Sequence, residues 1–262
     1  MTSRTRFLSR VVRGVLALPL LACGDTPTSV ELPDADVRIL FVGNSLTAAN
    51  NLPGLVATIA KSAGHSAEAL GLVAPNYSLE EHWRSGLADR IRKEGPDVVI
   101  FQQGPTSLHE SRVHLLAWAD SFAPVVREAG GEPAFLMVWP EIQRVGAFDA
   151  VRENYRAAAV RAGGIFIPAG EAWRALVPGA GAGEPVLGPD PYGPDGFHPS
   201  EEGSLLAAYV TVAAIFGESV QGLPADMAPG DGRNPSIHLD PDVAALLQRL
   251  ADEAVAAFPP RG

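Results

Sequence analysis

Residues 37–50, with the sequence VRILFVGNSLTAAN, decide how the rest of the chain is interpreted. The first six residues are a short apolar run rich in β-branched side chains, and Gly43 follows as a turn signal, which predicts a buried strand. Pro53 then favours the first turn of a helix, capped by one of the two asparagines before it. Ser45 is therefore expected just beyond the C-terminal end of a parallel strand, where ligands bind in open α/β sheets.

This stretch alone leaves two interpretations of Ser45 open. A serine hydroxyl next to a glycine, near backbone N–H groups that can receive an oxyanion, is well placed for a nucleophile. Glycine, asparagine and serine are also common in ordinary strand-to-helix turns. The choice between a nucleophile and a turn residue therefore depends on the remaining sequence.

Five apolar runs alternate with segments of helical periodicity along the chain, and no internal repeat or second domain is visible. This pattern predicts an α/β fold in which helices cover both faces of a parallel sheet, joined by right-handed crossovers. The predicted strands are residues 37–42, 66–73, 97–101, 133–139 and 165–168, and the predicted helices are residues 53–63, 79–92, 113–129, 148–162, 201–216 and a last one from 241.

The N-terminus has the composition of an export signal. A basic segment with Arg4, Arg6, Arg10 and Arg13 precedes an apolar stretch, residues 14–22, which is too short to span a bilayer. The end of this stretch, LLACG at residues 20–24, resembles a bacterial lipobox, which implies cleavage after residue 22 and lipidation of Cys23. An ordinary signal peptide with an incidental cysteine is the alternative.

Three segments follow from the lipobox resemblance. They are a signal peptide over residues 1–22, a lipidated cysteine with a flexible tether over 23–36, and a folded domain over 37–262. The expected location is therefore the periplasmic or cell-surface side of a bacterial membrane, held by the lipid anchor. Because Cys23 is the only cysteine in the chain, an intrachain disulfide is excluded.

Composition narrows the range of partners. The 262 residues are 47% hydrophobic and carry a net charge of −10, which suits a folded domain and argues against nucleic acid as a partner. Several histidines, among them His65, His109, His114 and His238, lack partners at metal-ligand spacing, so neither a metal nor another cofactor is predicted.

A second cluster of chemically useful residues lies near the C-terminus. Residues 177–196 are crowded with glycine and proline, which predicts a long surface loop. The loop closes at Asp195-Gly196-Phe197-His198, where the carboxylate can fold back and accept the imidazole Nδ1–H. Nε2 would then be free to take a proton from a serine hydroxyl. Taken singly, His198 also fits a surface histidine and Asp195 a turn residue.

Together these residues resemble the SGNH hydrolase superfamily, also called GDSL esterases and lipases. Residues 43–46, GNSL, are similar to the G-D-S-L block, and Asp195-x-x-His198 is similar to the D-x-x-H block; the resemblance covers residues 37–220. It implies a flavodoxin-like three-layer sandwich with a five-stranded parallel sheet in the order 2-1-3-4-5. It also implies Ser45 as nucleophile, His198 as base and Asp195 as orienting acid. An α/β-hydrolase would need a G-x-S-x-G elbow, which this sequence lacks.

The oxyanion hole is where the sequence departs from that family. Its members combine the serine N–H with a glycine N–H after the second strand and an asparagine after the third. Here the second-strand turn has Asn76 and Tyr77 but no glycine, so one of their N–H groups would donate. Thr106 stands at the asparagine position, and the neighbouring amides of Gln102 and Gln103 are able to substitute.

Three aromatic residues are candidates for a substrate pocket. Trp139 ends the fourth predicted strand, and Tyr192 and Phe197 flank Asp195 along the chain. Each could line an acyl or sugar pocket, although a place in the core is an equally good interpretation. His82 is expected to be an exposed histidine on a helix.

The sequence therefore predicts a serine esterase that removes a small acyl group through an acyl-enzyme. By resemblance to secreted members of the family, the group would be acetyl and its carrier a small molecule or a carbohydrate. Two alternatives stay open: a non-catalytic lipoprotein that binds glycans or esters, and an acyltransferase with the same triad.

Overall fold

Five parallel strands form the central sheet, in the order β2-β1-β3-β4-β5. The structure is a computed structural model that describes residues 32, 34–181, 183–228, 230, 234 and 236–261. The strand order is the flavodoxin-like order expected from the sequence, so the predicted fold class is confirmed. The strands are β1 (Val37–Gly43), β2 (Ala67–Val73), β3 (Val98–Phe101), β4 (Glu132–Leu136) and β5 (Ile165–Ile167).

Helices cover the sheet in two layers. One layer contains α2, α7, α8 and α9, which pack on one another, and the other contains α3 to α6. Short 3₁₀ turns span Ala49–Asn51 and Ile142–Ala147. The helices are α1 (Ser45–Ala48), α2 (Leu52–Ser62), α3 (Leu79–Arg84), α4 (Leu87–Glu94), α5 (His109–Glu128), α6 (Phe148–Ala162), α7 (Ala169–Arg174), α8 (Glu201–Phe216) and α9 (Pro241–Ala257).

The core lies on both faces of β1. Its central residues, Ile39 to Val42, are at most 1% exposed, which explains why the strand is a continuous apolar run rather than an alternating one. Fully burying each such side chain contributes about 1.5–3 kcal/mol. The position of β1 between β2 and β3 fixes the place of the residues that follow it, including Ser45.

Helix α8 follows Asp195 and His198 in the chain and packs in this core. Ser200 caps it as predicted, since its Oγ accepts the Gly203 N–H at 3.0 Å. The sequence indicated one inward face, but residues 203–214 are all buried because α2, α7 and α9 pack around the helix. The abundant alanine in α8 allows this close packing.

The structure differs from the predicted elements in five main places. Strand β4 ends at Leu136, three residues before the predicted end, so Trp139 lies beyond the strand. The helix expected over residues 79–92 is two helices, since Gly86 adopts a left-handed conformation with φ of 85° between them. Helix α5 begins earlier, at His109, and α7 was not predicted. The region expected to be irregular, 217–239, contains a short antiparallel pair, β6 (Asp226–Met227) and β7 (Ile237–His238).

The N-terminal predictions concern a part of the chain outside the described residues. This applies to the signal peptide, to Cys23 and to most of the tether. Among the helices that the structure does describe, none is both long and apolar enough to cross a membrane.

Candidate active site

Ser45 is the first residue of α1, directly after the C-terminal end of β1. Asn44 caps this short helix, because its Oδ1 accepts the Leu46 N–H at 3.2 Å. The asparagine also donates its Nδ2–H to the Tyr77 carbonyl at 3.3 Å. This bond connects the serine turn, residues 43–46, to the loop after β2. Asn44 stands where the similar G-D-S-L block has an aspartate, and it accepts the capping bond.

His198 meets Ser45 across 153 residues of chain. Its Nε2 lies 2.9 Å from the Ser45 Oγ, and its Nδ1 lies 2.6 Å from Oδ2 of Asp195. A carboxylate oxygen only accepts, so Nδ1 carries the proton and Nε2 is left to accept the serine O–H. The three predicted residues therefore form one hydrogen-bonded line at the C-terminal edge of the sheet.

The second oxygen of Asp195 shapes the loop itself. Oδ1 accepts the backbone N–H groups of Phe197 at 3.0 Å and His198 at 2.9 Å. The hydrogen bond from the His198 side chain, followed by these two N–H groups, lowers the pKa of Asp195 to about 2. The carboxylate therefore stays charged at any neutral pH, although its side chain is 53% exposed.

The segment after β4 forms hydrogen bonds to the loop that contains Asp195 and His198. The Trp139 indole N–H donates to the Phe197 carbonyl at 2.9 Å, and the backbone N–H of Ile142 donates to the Gly196 carbonyl at 2.9 Å. Two of the four residues from Asp195 to His198 are thus tied to a strand end of the sheet. Such ties place the imidazole with the precision that proton transfer requires.

The structure corrects the predicted pocket role of two aromatic residues. Trp139 is 1% exposed and stacks on Trp173, with ring centroids 3.3 Å apart. Tyr192 is 5% exposed, and its hydroxyl donates to the Pro140 carbonyl at 2.7 Å. Both side chains are part of the core and support the loop from there. A place in the core was the alternative interpretation of each residue.

Phe197 alone of the three predicted pocket residues lies at the surface, beside His198. Its ring meets the His198 ring edge-on at 5.1 Å and is half-buried. Tyr77, on the loop after β2, is 38% exposed. These two rings are therefore the aromatic surface that a substrate near Ser45 can contact.

Gln102 occupies a different place from the one expected of an oxyanion donor. It is 1% exposed, and its Oε1 accepts the Asn44 N–H at 2.9 Å and the Thr47 hydroxyl at 2.8 Å. Its Nε2 donates to the Gln103 carbonyl at 2.7 Å. A Cβ on Gly43 would lie 2.5 Å from this Oε1, so the glycine is needed for the close approach.

The other two side chains predicted near the oxyanion are also engaged internally. Gln103 is 7% exposed, and its Oε1 lies 3.0 Å from Nδ1 of His114. The Thr106 hydroxyl is buried and donates to the Gly104 carbonyl at 2.9 Å. Gln103 Nε2 donates to the Thr106 Oγ at 3.5 Å, so both side chains donate inside the protein. The oxyanion roles predicted for Gln102, Gln103 and Thr106 therefore do not fit these contacts.

Of the oxyanion donors predicted from the sequence, the backbone N–H groups of Ser45 and Asn76 remain. The Tyr77 N–H is used in a turn, where it donates to the Ala74 carbonyl at 3.1 Å. Asn76 is exposed, with φ of 61°. Within the described part of the chain, the N–H groups of Ser45 and Asn76 have no acceptor.

His82 is a functional candidate that the sequence did not reveal. It is 5% exposed rather than surface-exposed as predicted, and its Nε2 lies 2.8 Å from the Gly43 carbonyl oxygen. Because a carbonyl only accepts, Nε2 carries the proton. Burial lowers the pKa of His82 and favours its neutral form. Helical periodicity alone did not indicate that this position faces the serine turn.

Asn50 is a second such residue. The sequence predicted that Asn50 or Asn51 caps α2, and Asn51 is the cap. Asn50 Nδ2 instead donates to the Ser200 carbonyl at 3.0 Å and lies 2.9 Å from the Ser204 Oγ. It adopts a left-handed conformation with φ of 51°, which asparagine tolerates better than most residues. Asn50 therefore joins the segment after Ser45 to the segment after His198.

Comparison with known proteins supports the fold. No family model and no curated protein matches the chain. A candidate SGNH hydrolase from Slackia heliotrinireducens is 25% identical, with a TM-score of 0.56 over 68% of this chain and 97% of its own. A DUF4886 family protein from Bacteroides uniformis is 16% identical, with a TM-score of 0.65 over 84% and 95%. A family 3 carbohydrate esterase from Clostridium thermocellum is 16% identical, with a TM-score of 0.52 over 68% and 94%.

The structural neighbours are thus SGNH and GDSL-type hydrolases and esterases. At these identities, the likeness to the Bacteroides and Clostridium proteins concerns the fold alone. The chemistry of this chain has to be argued from its own residues.

Proposed function

We propose that this protein is a serine esterase of the SGNH type. The observation that carries the proposal is the hydrogen-bonded line from Asp195 through His198 to Ser45, at the strand ends of a fold shared with such enzymes. Each residue alone fits a turn or a surface position. Together, with His198 in the tautomer that a base requires, the three residues have the arrangement that nucleophilic catalysis needs.

The proposed mechanism proceeds through an acyl-enzyme. Ser45 Oγ attacks the ester carbonyl carbon while His198 Nε2 takes the hydroxyl proton, and Asp195 stabilises the resulting imidazolium. The tetrahedral intermediate collapses as His198 gives that proton to the departing alkoxide, which leaves as an alcohol. Water then repeats the sequence on the acyl-serine and releases the carboxylic acid. We assign the oxyanion to the N–H groups of Ser45 and Asn76.

An acetylated carbohydrate is the substrate class we propose. The side chain of His198 is 40% exposed and that of Asp195 53% exposed, so the edge where the leaving alcohol departs is open to a bulky polar group. Phe197 and Tyr77 offer the aromatic faces on which sugars pack. The small acyl group and the glycan carrier are also what the predicted export of the chain suggests.

One observation favours a non-catalytic binding protein as a second candidate. The internal hydrogen bonds of Gln102, Gln103 and Thr106 leave the oxyanion without a side-chain donor. Removal of one such donor costs about 3–4 kcal/mol of transition-state stabilisation in well-studied hydrolases. An acyltransferase, in which a sugar hydroxyl replaces water, uses the same triad.

One assay separates these functions. The purified protein is given p-nitrophenyl acetate, with Ser45→Ala as the blank. Turnover that depends on Ser45 supports the esterase, and a faster release of p-nitrophenol with an added sugar acceptor indicates transfer. A folded protein without turnover, in either form, contradicts the esterase and favours binding.

The location is a separate proposal. We infer membrane anchoring through lipidated Cys23, on the resemblance of residues 20–24 to a lipobox. Cys23→Ala is then expected to move the protein from the membrane fraction to the soluble fraction of its host. A variant that still fractionates with membranes would contradict the anchor while leaving the esterase untouched.

The Asn50 contacts make a prediction about turnover. Asn50→Asp keeps the shape of the side chain but removes both N–H donors, so the segment with Ser45 and the segment with Ser200 lose their tie. Because small displacements of reacting groups reduce rates strongly, kcat/KM is expected to fall about 10- to 100-fold. Steady-state kinetics with p-nitrophenyl acetate measure this loss, and kcat/KM equal to that of the natural protein would show that the tie is dispensable.

A further inference from the structure

One peptide unit, between Gly43 and Asn44, is held at both of its polar ends by buried side chains. His82 reaches its carbonyl oxygen from α3, at 2.8 Å. Gln102 reaches its N–H from the end of β3, at 2.9 Å. The two side chains are 5% and 1% exposed, so water does not compete for either hydrogen bond.

This peptide unit immediately precedes the proposed nucleophile. A peptide is planar, so fixing its C=O and its N–H fixes the orientation of the whole plane. Only the two dihedral angles of Asn44 then separate the plane from the N–H of Ser45. These angles are restrained in turn, because the Asn44 side chain bonds Leu46 and Tyr77.

The surrounding residues are adapted to this arrangement. Gly43 leaves room for Gln102 Oε1, which a Cβ would approach to 2.5 Å. Thr47 donates its hydroxyl to the same oxygen at 2.8 Å. The ring of Tyr77 packs edge-on against the His82 ring at 5.2 Å. Neither His82 nor Gln102 has a part in the acyl transfer steps described above.

We propose that His82 and Gln102 are positioning residues, which clamp the Gly43–Asn44 peptide and thereby orient the Ser45 hydroxyl and its N–H toward the ester. The inference rests on the proposed esterase function. The clamp acts through the backbone and contacts no substrate, so it affects the chemical step rather than substrate binding. Loss of either bond therefore lowers kcat and leaves KM unchanged.

The chain offers a matched control for Gln102. Gln248 is 2% exposed, and its carboxamide also bridges a backbone N–H and a carbonyl: Oε1 accepts the Gly222 N–H at 2.9 Å and Nε2 donates to the Leu223 carbonyl at 2.9 Å. It stabilises a loop beside α9, away from Ser45. Gln102→Met and Gln248→Met thus remove equivalent buried hydrogen bonds at different places.

The experiment compares kcat, KM and the thermal unfolding midpoint of full-length variants with p-nitrophenyl acetate. His82→Phe and Gln102→Met are expected to lower kcat about 10- to 100-fold, the scale of a small misplacement of a reacting group. His82→Gln restores an N–H near the Nε2 position and is expected to recover most of the loss. Gln248→Met is expected to lower the unfolding midpoint and leave kcat unchanged. If Gln102→Met does not fold, Gln102→Asn takes its place.

Each result decides the proposal. A kcat loss at both clamp positions, with rescue by His82→Gln and an unaffected Gln248→Met, supports it. Unchanged kcat in the clamp variants, or an equal kcat loss in Gln248→Met, overturns it while Ser45-dependent turnover leaves the esterase standing. If the natural protein shows no turnover that depends on Ser45, the proposed function fails and the clamp fails with it.

Discussion

Replacing Ser45 or His198 with alanine is expected to lower kcat/KM for p-nitrophenyl acetate by about 10⁵- to 10⁶-fold, the scale seen when a serine nucleophile or its base is removed. Without Ser45 no acyl-enzyme forms. Without His198 the serine proton has no acceptor at 2.9 Å, and the departing alkoxide has no acid. Steady-state rates at pH 8, measured over the spontaneous hydrolysis of the ester, test both changes.

The two residues are also expected to act as one unit. The double variant Ser45→Ala/His198→Ala should be no slower than either single variant, because each change already abolishes the same step. Both side chains are partly exposed, so the variants should keep the thermal unfolding midpoint of the natural protein. Multiplied losses in the double variant would show that the residues work in separate steps.

Asp195→Asn is expected to lower kcat about 10⁴-fold, which is the loss that the wrong imidazole tautomer causes in a serine triad. Asparagine retains an oxygen that can accept the N–H groups of Phe197 and His198, so the loop should keep its shape. Its amide nitrogen, placed opposite Nδ1, favours the tautomer with the proton on Nε2. That tautomer cannot accept the Ser45 proton. Asp195→Ala, which removes the loop contacts as well, serves as the comparison.

The low pKa of Asp195 determines the pH range over which its carboxylate is charged. The pKa is about 2 in the folded protein against a usual value of 3.8, so the stabilising contacts of the carboxylate are fully present above pH 3.8 and are lost as the pH falls through 2. The side-chain carboxyl ¹³C signal of Asp195 should therefore keep the chemical shift of a charged carboxylate between pH 5 and 9. A signal that moves to the shift of a neutral carboxylic acid toward pH 5 would mean that Asp195 is protonated in that range.

The sheet and the hydrogen-bonded line of Asp195, His198 and Ser45 were accessible from sequence because they depend on local patterns. The apolar run before Gly43 indicates a doubly buried strand, and the spacing of Asp195 and His198 places a carboxylate within reach of an imidazole. Parallel strands end at one edge, so Ser45 and His198 could be expected to meet there. The structure brings them together at hydrogen-bond distance.

The supporting residues were not accessible because their roles depend on tertiary contacts. Gln102 and Thr106 carry donors of the right type, but only the folded structure shows that those donors are used internally, by the Gln103 and Gly104 carbonyls. Trp139 follows an apolar strand, and nothing local tells whether its ring faces a pocket or a second tryptophan. Periodicity alone did not show which face of its helix His82 occupies, or that Gly86 divides the predicted helix into two.

The central claim is that His198 activates the hydroxyl of Ser45, and covalent labelling tests it most directly. The folded full-length protein is treated with a fluorophosphonate, digested and analysed by peptide mass spectrometry. We predict one phosphonate on the peptide that contains Ser45, and no label at that peptide in His198→Ala. An unlabelled Ser45 in the folded natural protein, or equal labelling of Ser45 without His198, would contradict the account.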